Sequence, residues 1–172
     1  MSSSKFDIIV YGATGFTGQL VAEYLAAHYR NDGQLKWAMA GRSLDKLKSV
    51  RDAIGAPADM PLIVADAGDP ASLKAMVDQT KCVISTVGPY QLYGSDLVAA
   101  CAASGTDYID LCGEPIWMRQ MIDAHEAAAK ASGAPNTRLA SCCTKYAPSS
   151  NGTESKPQEN TMRAPLAFAW LS

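Results

Sequence analysis

The chain has 172 residues, 48% hydrophobic and 19% charged, and its 15 Lys and Arg against 17 Asp and Glu leave a formal net charge of −2. That length and apolar share suit one packed core and exclude a chain disordered throughout. The near-neutral balance lacks the footprint of a nucleic-acid binder, and no apolar run reaches the roughly 18 residues of a transmembrane helix.

The amino end, Met1-Ser2-Ser3-Ser4-Lys5, leads into a strand-like segment without a signal-peptide core, which reads as a soluble, cytoplasmic chain. Five cysteines without a C-x-x-C pair and two distant histidines, His28 and His125, offer no zinc pattern. No metal is expected.

Residues 1–133 read as apolar strand, turn and amphipathic helix in repetition, the pattern of a doubly wound α/β domain whose parallel sheet has about five strands. Strands are predicted at Phe6 to Tyr11, Leu35 to Ala40, Leu62 to Ala65, Cys82 to Val87 and Tyr108 to Leu111. They are mostly Ile, Val, Leu and Ala without alternation, as burial on both faces requires. Helices are predicted over Phe16 to Tyr29, Leu44 to Ile54, Ala71 to Asp78, Ser95 to Ser104 and Ile116 to Ser132. Ser43, Asp69-Pro70 and Glu114-Pro115 mark starts; Gly105 and Gly133 mark stops. Residues 134–172 hold four of the nine prolines, Pro135, Pro148, Pro157 and Pro165, and show no sustained period. They are predicted to form an irregular, disordered tail. The fifth strand would then be a sheet edge open to self-association, a homo-oligomer included.

The chemistry-bearing motif follows the first strand: Gly12-Ala13-Thr14-Gly15-Phe16-Thr17-Gly18, where a strand hands over to a helix. A dinucleotide diphosphate needs backbone N–H groups at a helix N-terminus, a turn no side chain blocks, and a helix packed close to its strand. Gly12, Gly15 and Gly18 can supply these needs in that order, and the βαβ context makes the match specific. The second strand ends at Gly41-Arg42-Ser43, where an NAD site would carry Asp or Glu. Arg42 can pair with a 2′-phosphate and Ser43 can add a hydroxyl, so NADP(H) is preferred over NAD(H).

Asp66, after the third strand, suits a turn or an acceptor for an adenine amino group. Thr86, Val87, Gly88 and Pro89 fall beside the sheet's switch point, where ribose and nicotinamide would lie. Tyr90 and Tyr93 either face a substrate or pack. No tyrosine has a lysine four residues on, so the Tyr-x-x-x-Lys acid–base pair of short-chain dehydrogenases is absent. Asp107, Asp110 and Glu114 are carboxylates available for proton transfer, although Glu114 before Pro115 reads more simply as a helix-start charge. No catalytic residue is assigned.

Val10 to Gly18, Ala40-Gly41-Arg42, Ser85 to Tyr90 and Tyr108 to Glu114, in this order and spacing, resemble the saccharopine dehydrogenase-like oxidoreductases, a group that includes the trans-acting enoyl reductases. The resemblance covers residues 5 to about 133. It implies a nicotinamide-binding Rossmann domain, a separate substrate domain and, in some members, reduction linked to lipid or glycolipid synthesis. Eukaryotic relatives imply peripheral association with membranes or lipid droplets. Beyond Gly133-Ala134 the resemblance stops: members continue into a sixth apolar strand and the substrate domain, whereas Pro135-Asn136-Thr137-Arg138 breaks the pattern here. The expectation is an NADP(H)-binding domain incomplete for catalysis. The rival is a non-catalytic nucleotide-sensing or interaction module.

Overall fold

The computed structural model describes residues 4–29 and 35–133 and the backbone of 139–141. Six strands form one sheet: β1 (Phe6–Tyr11), β2 (Trp37–Gly41), β3 (Leu62–Val64), β4 (Thr80–Ser85), β5 (Asp107–Asp110) and β6 (Leu139–Ser141). Their order is β3-β2-β1-β4-β5-β6 and every neighbouring pair is parallel. The helices are α1 (Phe16–His28), α2 (Leu44–Ala53), α3 (Pro70–Val77), α4 (Tyr90–Tyr93), α5 (Ser95–Ser104) and α6 (Pro115–Ser132).

The unalternating apolar strands are explained by two cores, one on each face. Along β1, Ile9 and Tyr11 enter one cluster and Val10 the other; along β2, Ala38 and Ala40 part from Trp37 and Met39 in the same way. The first cluster is roofed by Leu73, Met76 and Val77 of α3, Leu97, Val98 and Cys101 of α5, and Trp117 of α6. Ala22 and Leu25 of α1, with Leu47 and Val50 of α2, close the second. Successive side chains on a strand point to opposite faces, so apolar groups are needed at every position. Each fully buried Leu or Val contributes about 1.5–3 kcal/mol.

The doubly wound parallel sheet agrees with the sequence pattern, and β1 has the predicted bounds. Two differences matter. The sheet continues past β5: Tyr108, Ile109 and Asp110 pair with Leu139, Ala140 and Ser141. The predicted break after Gly133 therefore holds a sixth strand, and β5 is not an edge. Three residues are too few to show a period, and pairing uses backbone groups that composition does not reveal. Gly133, at φ 82, ends α6 in the left-handed conformation that glycine adopts readily. The remainder of the predicted irregular tail, 134–138 and 142–172, lies outside the described residues.

The second difference is α4, a single turn where the sequence pattern reads as loop. Among the described residues, no helix is long and apolar enough to cross a membrane, and no cluster of His, Cys, Asp and Glu is arranged to hold a metal ion.

Candidate functional site

The glycine turn sits at the carboxyl end of β1. Gly12 and Ala13 donate their N–H groups to Ala40 O at 3.0 and 3.1 Å, and Gly15 N donates to Gly12 O at 2.9 Å. The Gln19 amide donates to Thr14 O at 3.1 Å, so the loop is tied at both ends. Gly12 has φ +87, and a Cβ there would lie 2.7 Å from Thr86 Oγ1 and Val87 Cγ2. A Cβ on Gly18 would lie 2.1 Å from Gly12 O. Both positions are glycine because the turn and the close passage of helix over strand leave no room.

Gly15 is different. Its φ of −81 and ψ of 165 suit any residue, and an added Cβ would make one ordinary contact, 3.4 Å from Gly12 O. Packing does not demand glycine there. It is the N-cap of α1, where no side chain caps the helix and the first turn carries no acidic residue. The orphan N–H groups of the first helical turn thus stand beside a position without a side chain or a negative charge, a setting that suits an anion such as a diphosphate. Phe16, 82% exposed, and Thr17 complete that turn, while Ala13 is buried in the core and holds the loop from below.

Arg42 is exposed at the carboxyl end of β2, close enough to Tyr11 for its charge to bear on that phenol. Burial pushes Tyr11 up to about 12, so it stays neutral. Ser43 Oγ accepts from Lys46 N at 3.4 Å as the cap of α2. Asp66 is exposed after β3, and its Oδ1 accepts from Gly68 N at 2.9 Å, the turn-forming contact the sequence allowed for.

Strand β4 ends at Ser85, two residues earlier than predicted, so Thr86 and Val87 belong to the loop. Thr86 Oγ1 donates to Tyr11 O at 3.1 Å and to Gly12 O at 3.2 Å, fastening this loop to the glycine turn. Gly88 and Pro89 follow, both exposed. Gly12, Gly15, Arg42, Asp66 and Thr86 to Pro89 therefore all stand along the carboxyl edge of the sheet.

Two of the carboxylates near β5, Asp110 and Glu114, hold backbone. Asp110 is 3% exposed, and its Oδ1 accepts from Cys112 N at 3.0 Å. Burial raises it above the usual carboxylate range, and the neighbouring Tyr108 hydroxyl is raised in the same way. Glu114 provides no side-chain cap for its own helix, α6. It instead accepts from Tyr90 N at 2.8 Å and Gln91 N at 2.9 Å, capping α4. Glu114 does stand at the start of α6, as its N-cap residue, but its carboxylate bonds the backbone of α4, 24 and 23 residues away. Tyr90 packs, 8% exposed, with its ring centroid 6.0 Å from that of Trp117.

A parallel sheet whose strand order reverses between β1 and β4, with a glycine turn feeding a helix N-terminus at that point, defines a dinucleotide-binding Rossmann domain. The family model described as the saccharopine dehydrogenase NADP binding domain matches residues 8–135. The chain belongs to that family and carries its NADP-binding domain. A trans-acting enoyl reductase of Mycobacterium leprae is 51% identical over 131 residues, covering 76% of this chain and 31% of the relative. One from Mycobacterium ulcerans is 47% identical over 137 residues, covering 78% and 32%. The chain thus spans about a third of the length of these relatives.

Among solved structures, apo saccharopine dehydrogenase (L-Glu forming) from Saccharomyces cerevisiae is similar with a TM-score of 0.53 at 21% identity, over 67% of this chain and 24% of that one. Citrobacter sp. triphenylmethane reductase complexed with NADP(H) gives 0.54 at 20%, over 75% and 47%. At these identities the likeness shows the fold alone.

Proposed function

We propose that residues 1–133 hold NADP(H) along the carboxyl edge of the sheet and serve an oxidoreductase that reduces an enoyl group in lipid or glycolipid metabolism. The observation that carries the reading is the uncapped amino terminus of α1, cleared at Gly15, where packing asks for no glycine. The turn from Gly12 to Gly18 holds the diphosphate through backbone N–H groups. Arg42 forks onto the 2′-phosphate with Ser43 beside it, and Asp66 faces the adenine. Thr86 to Pro89 support the second ribose and the nicotinamide. A reduced nicotinamide bound there supplies hydride to an electron-poor carbon. Hydride transfer also needs a water-free pocket on the ring's other side, which this reading assigns to sequence beyond the matched region. The enoyl substrate is supported by the names of the relatives.

Thermal melts of the 172-residue chain test the reading. NADPH at about a hundred times its Kd adds about 2.7 kcal/mol, a rise of roughly 5–10 °C. Arg42→Ala should remove most of the NADPH shift and leave any NADH shift unchanged. Equal loss for both coenzymes, or loss for neither, would end the 2′-phosphate assignment, and a wild-type melt unmoved by NADPH would end the reading.

A further inference from the structure

The loop after β4 runs through Gly88 and Pro89 into α4, a helix of four residues. One turn cannot hold itself in water, because forming the first turn fixes more backbone than its hydrogen bond repays. Its position is therefore imposed from outside. Two N–H groups at its start, those of Tyr90 and Gln91, donate to the two oxygens of the Glu114 carboxylate at 2.8 and 2.9 Å. Glu114 belongs to the other loop at this edge, the one after β5, and its own N–H donates to Cys112 Sγ at 3.2 Å. A second fastening lies below: the Tyr90 hydroxyl donates to Ser85 O and accepts from Leu111 N, each at 3.2 Å. Trp117 closes the stack and donates from Nε1 to Ser95 Oγ at 3.0 Å. The two loops flanking the nicotinamide end of the groove are thus clamped at Glu114 and at Tyr90.

We infer that Glu114 is a positioning residue for the nicotinamide half of the dinucleotide: its carboxylate holds α4, and through it the Gly88-Pro89 segment, against the loop after β5. In this role it acts through α4 and not by direct contact with the coenzyme. The inference rests on the dinucleotide reading above. It adds that the two halves of the site are held by separate devices, the glycine turn with Arg42 for the adenosine half and the Glu114 clamp for the nicotinamide half. A carboxylate accepting two backbone N–H groups makes two charge-assisted bonds, whereas a carboxamide turns an N–H toward one of those donors.

The test compares NADPH with adenosine 2′,5′-bisphosphate, which lacks the nicotinamide half, on the 172-residue chain. Glu114→Gln should weaken NADPH about tenfold and leave the bisphosphate within about twofold. Glu114→Asp, which keeps the carboxylate, should recover part of the NADPH affinity. Tyr90→Phe, which keeps the ring and loses the lower fastening, should shift NADPH selectively by a smaller factor and carries the comparison should Glu114→Gln fail to fold. Equal weakening of both ligands, or a fall in melting temperature with the affinity ratio unchanged, would overturn the inference and leave Glu114 a structural cap. Wild-type protein binding neither ligand would instead overturn the dinucleotide reading.

Discussion

The amino termini of α1 and α3 stand on opposite faces of the same sheet, each just past the carboxyl end of a strand, and they end in different ways. Helix α3 is self-sufficient: Asp69 Oδ1 accepts from Ala71 N at 3.0 Å, and Pro70 removes one orphan donor at the first position. Helix α1 has neither device, and the residue in the capping position is a glycine. Helices α5 and α6 also start without a side-chain cap, and on the reading proposed above it is the bare start of α1, at the glycine turn, that takes its acceptor from a bound diphosphate. The pair also separates two uses of glycine within one motif. Gly18 is a requirement of the fold, whereas packing does not demand Gly15, which the proposed reading gives to the diphosphate, although the letters are the same.

Three substitutions would break or sharpen that contrast. The largest effect is expected at Gly18→Ala, which puts a Cβ 2.1 Å from Gly12 O and 2.8 Å from Ala13 Cα, both main chain. It should cost about 3 kcal/mol or more in urea unfolding, because neither neighbour can move without opening the turn. A wild-type midpoint would show that the turn does not close around this glycine. Next comes Gly15→Val. Its backbone conformation admits valine, so stability should move by about 1 kcal/mol, while NADPH affinity should fall about a hundredfold as the side chain fills the diphosphate space. Fluorescence titration and urea unfolding on the same sample separate the two effects, and undiminished affinity would remove the contrast between the helices. The smallest is Asp69→Ala, which should lower stability by about 1 kcal/mol through the lost cap of α3 and leave the NADPH titration unchanged.

Much of this was legible in the chain itself, for reasons particular residues make plain. The first strand is readable from Phe6 to Tyr11 because every position is buried or half-buried, and the start of α2 because Ser43 is a local cap. The glycine turn was readable because its three demands fall within seven consecutive residues. Long-range contacts were not. Nothing near Glu114 announces that it caps a helix 24 residues earlier, and nothing in Leu139-Ala140-Ser141 announces a sixth strand. Asp110 read as a candidate proton carrier; in the fold it accepts from Cys112 N, which favours its charged form, while burial, the larger effect, raises its affinity for a proton.

Order along the chain and local chemistry were enough to determine the parallel α/β class, the place of the glycine turn and the arrival of Arg42 at the end of β2. These follow from periodicity, capping and glycine geometry, which act over a few residues. Only the folded chain decided which glycines packing demands, that the Glu114 carboxylate reaches α4, and that β5 is an interior strand. Those outcomes depend on atoms brought together from distant segments, and the free energy of such contacts exists only once the sheet has assembled.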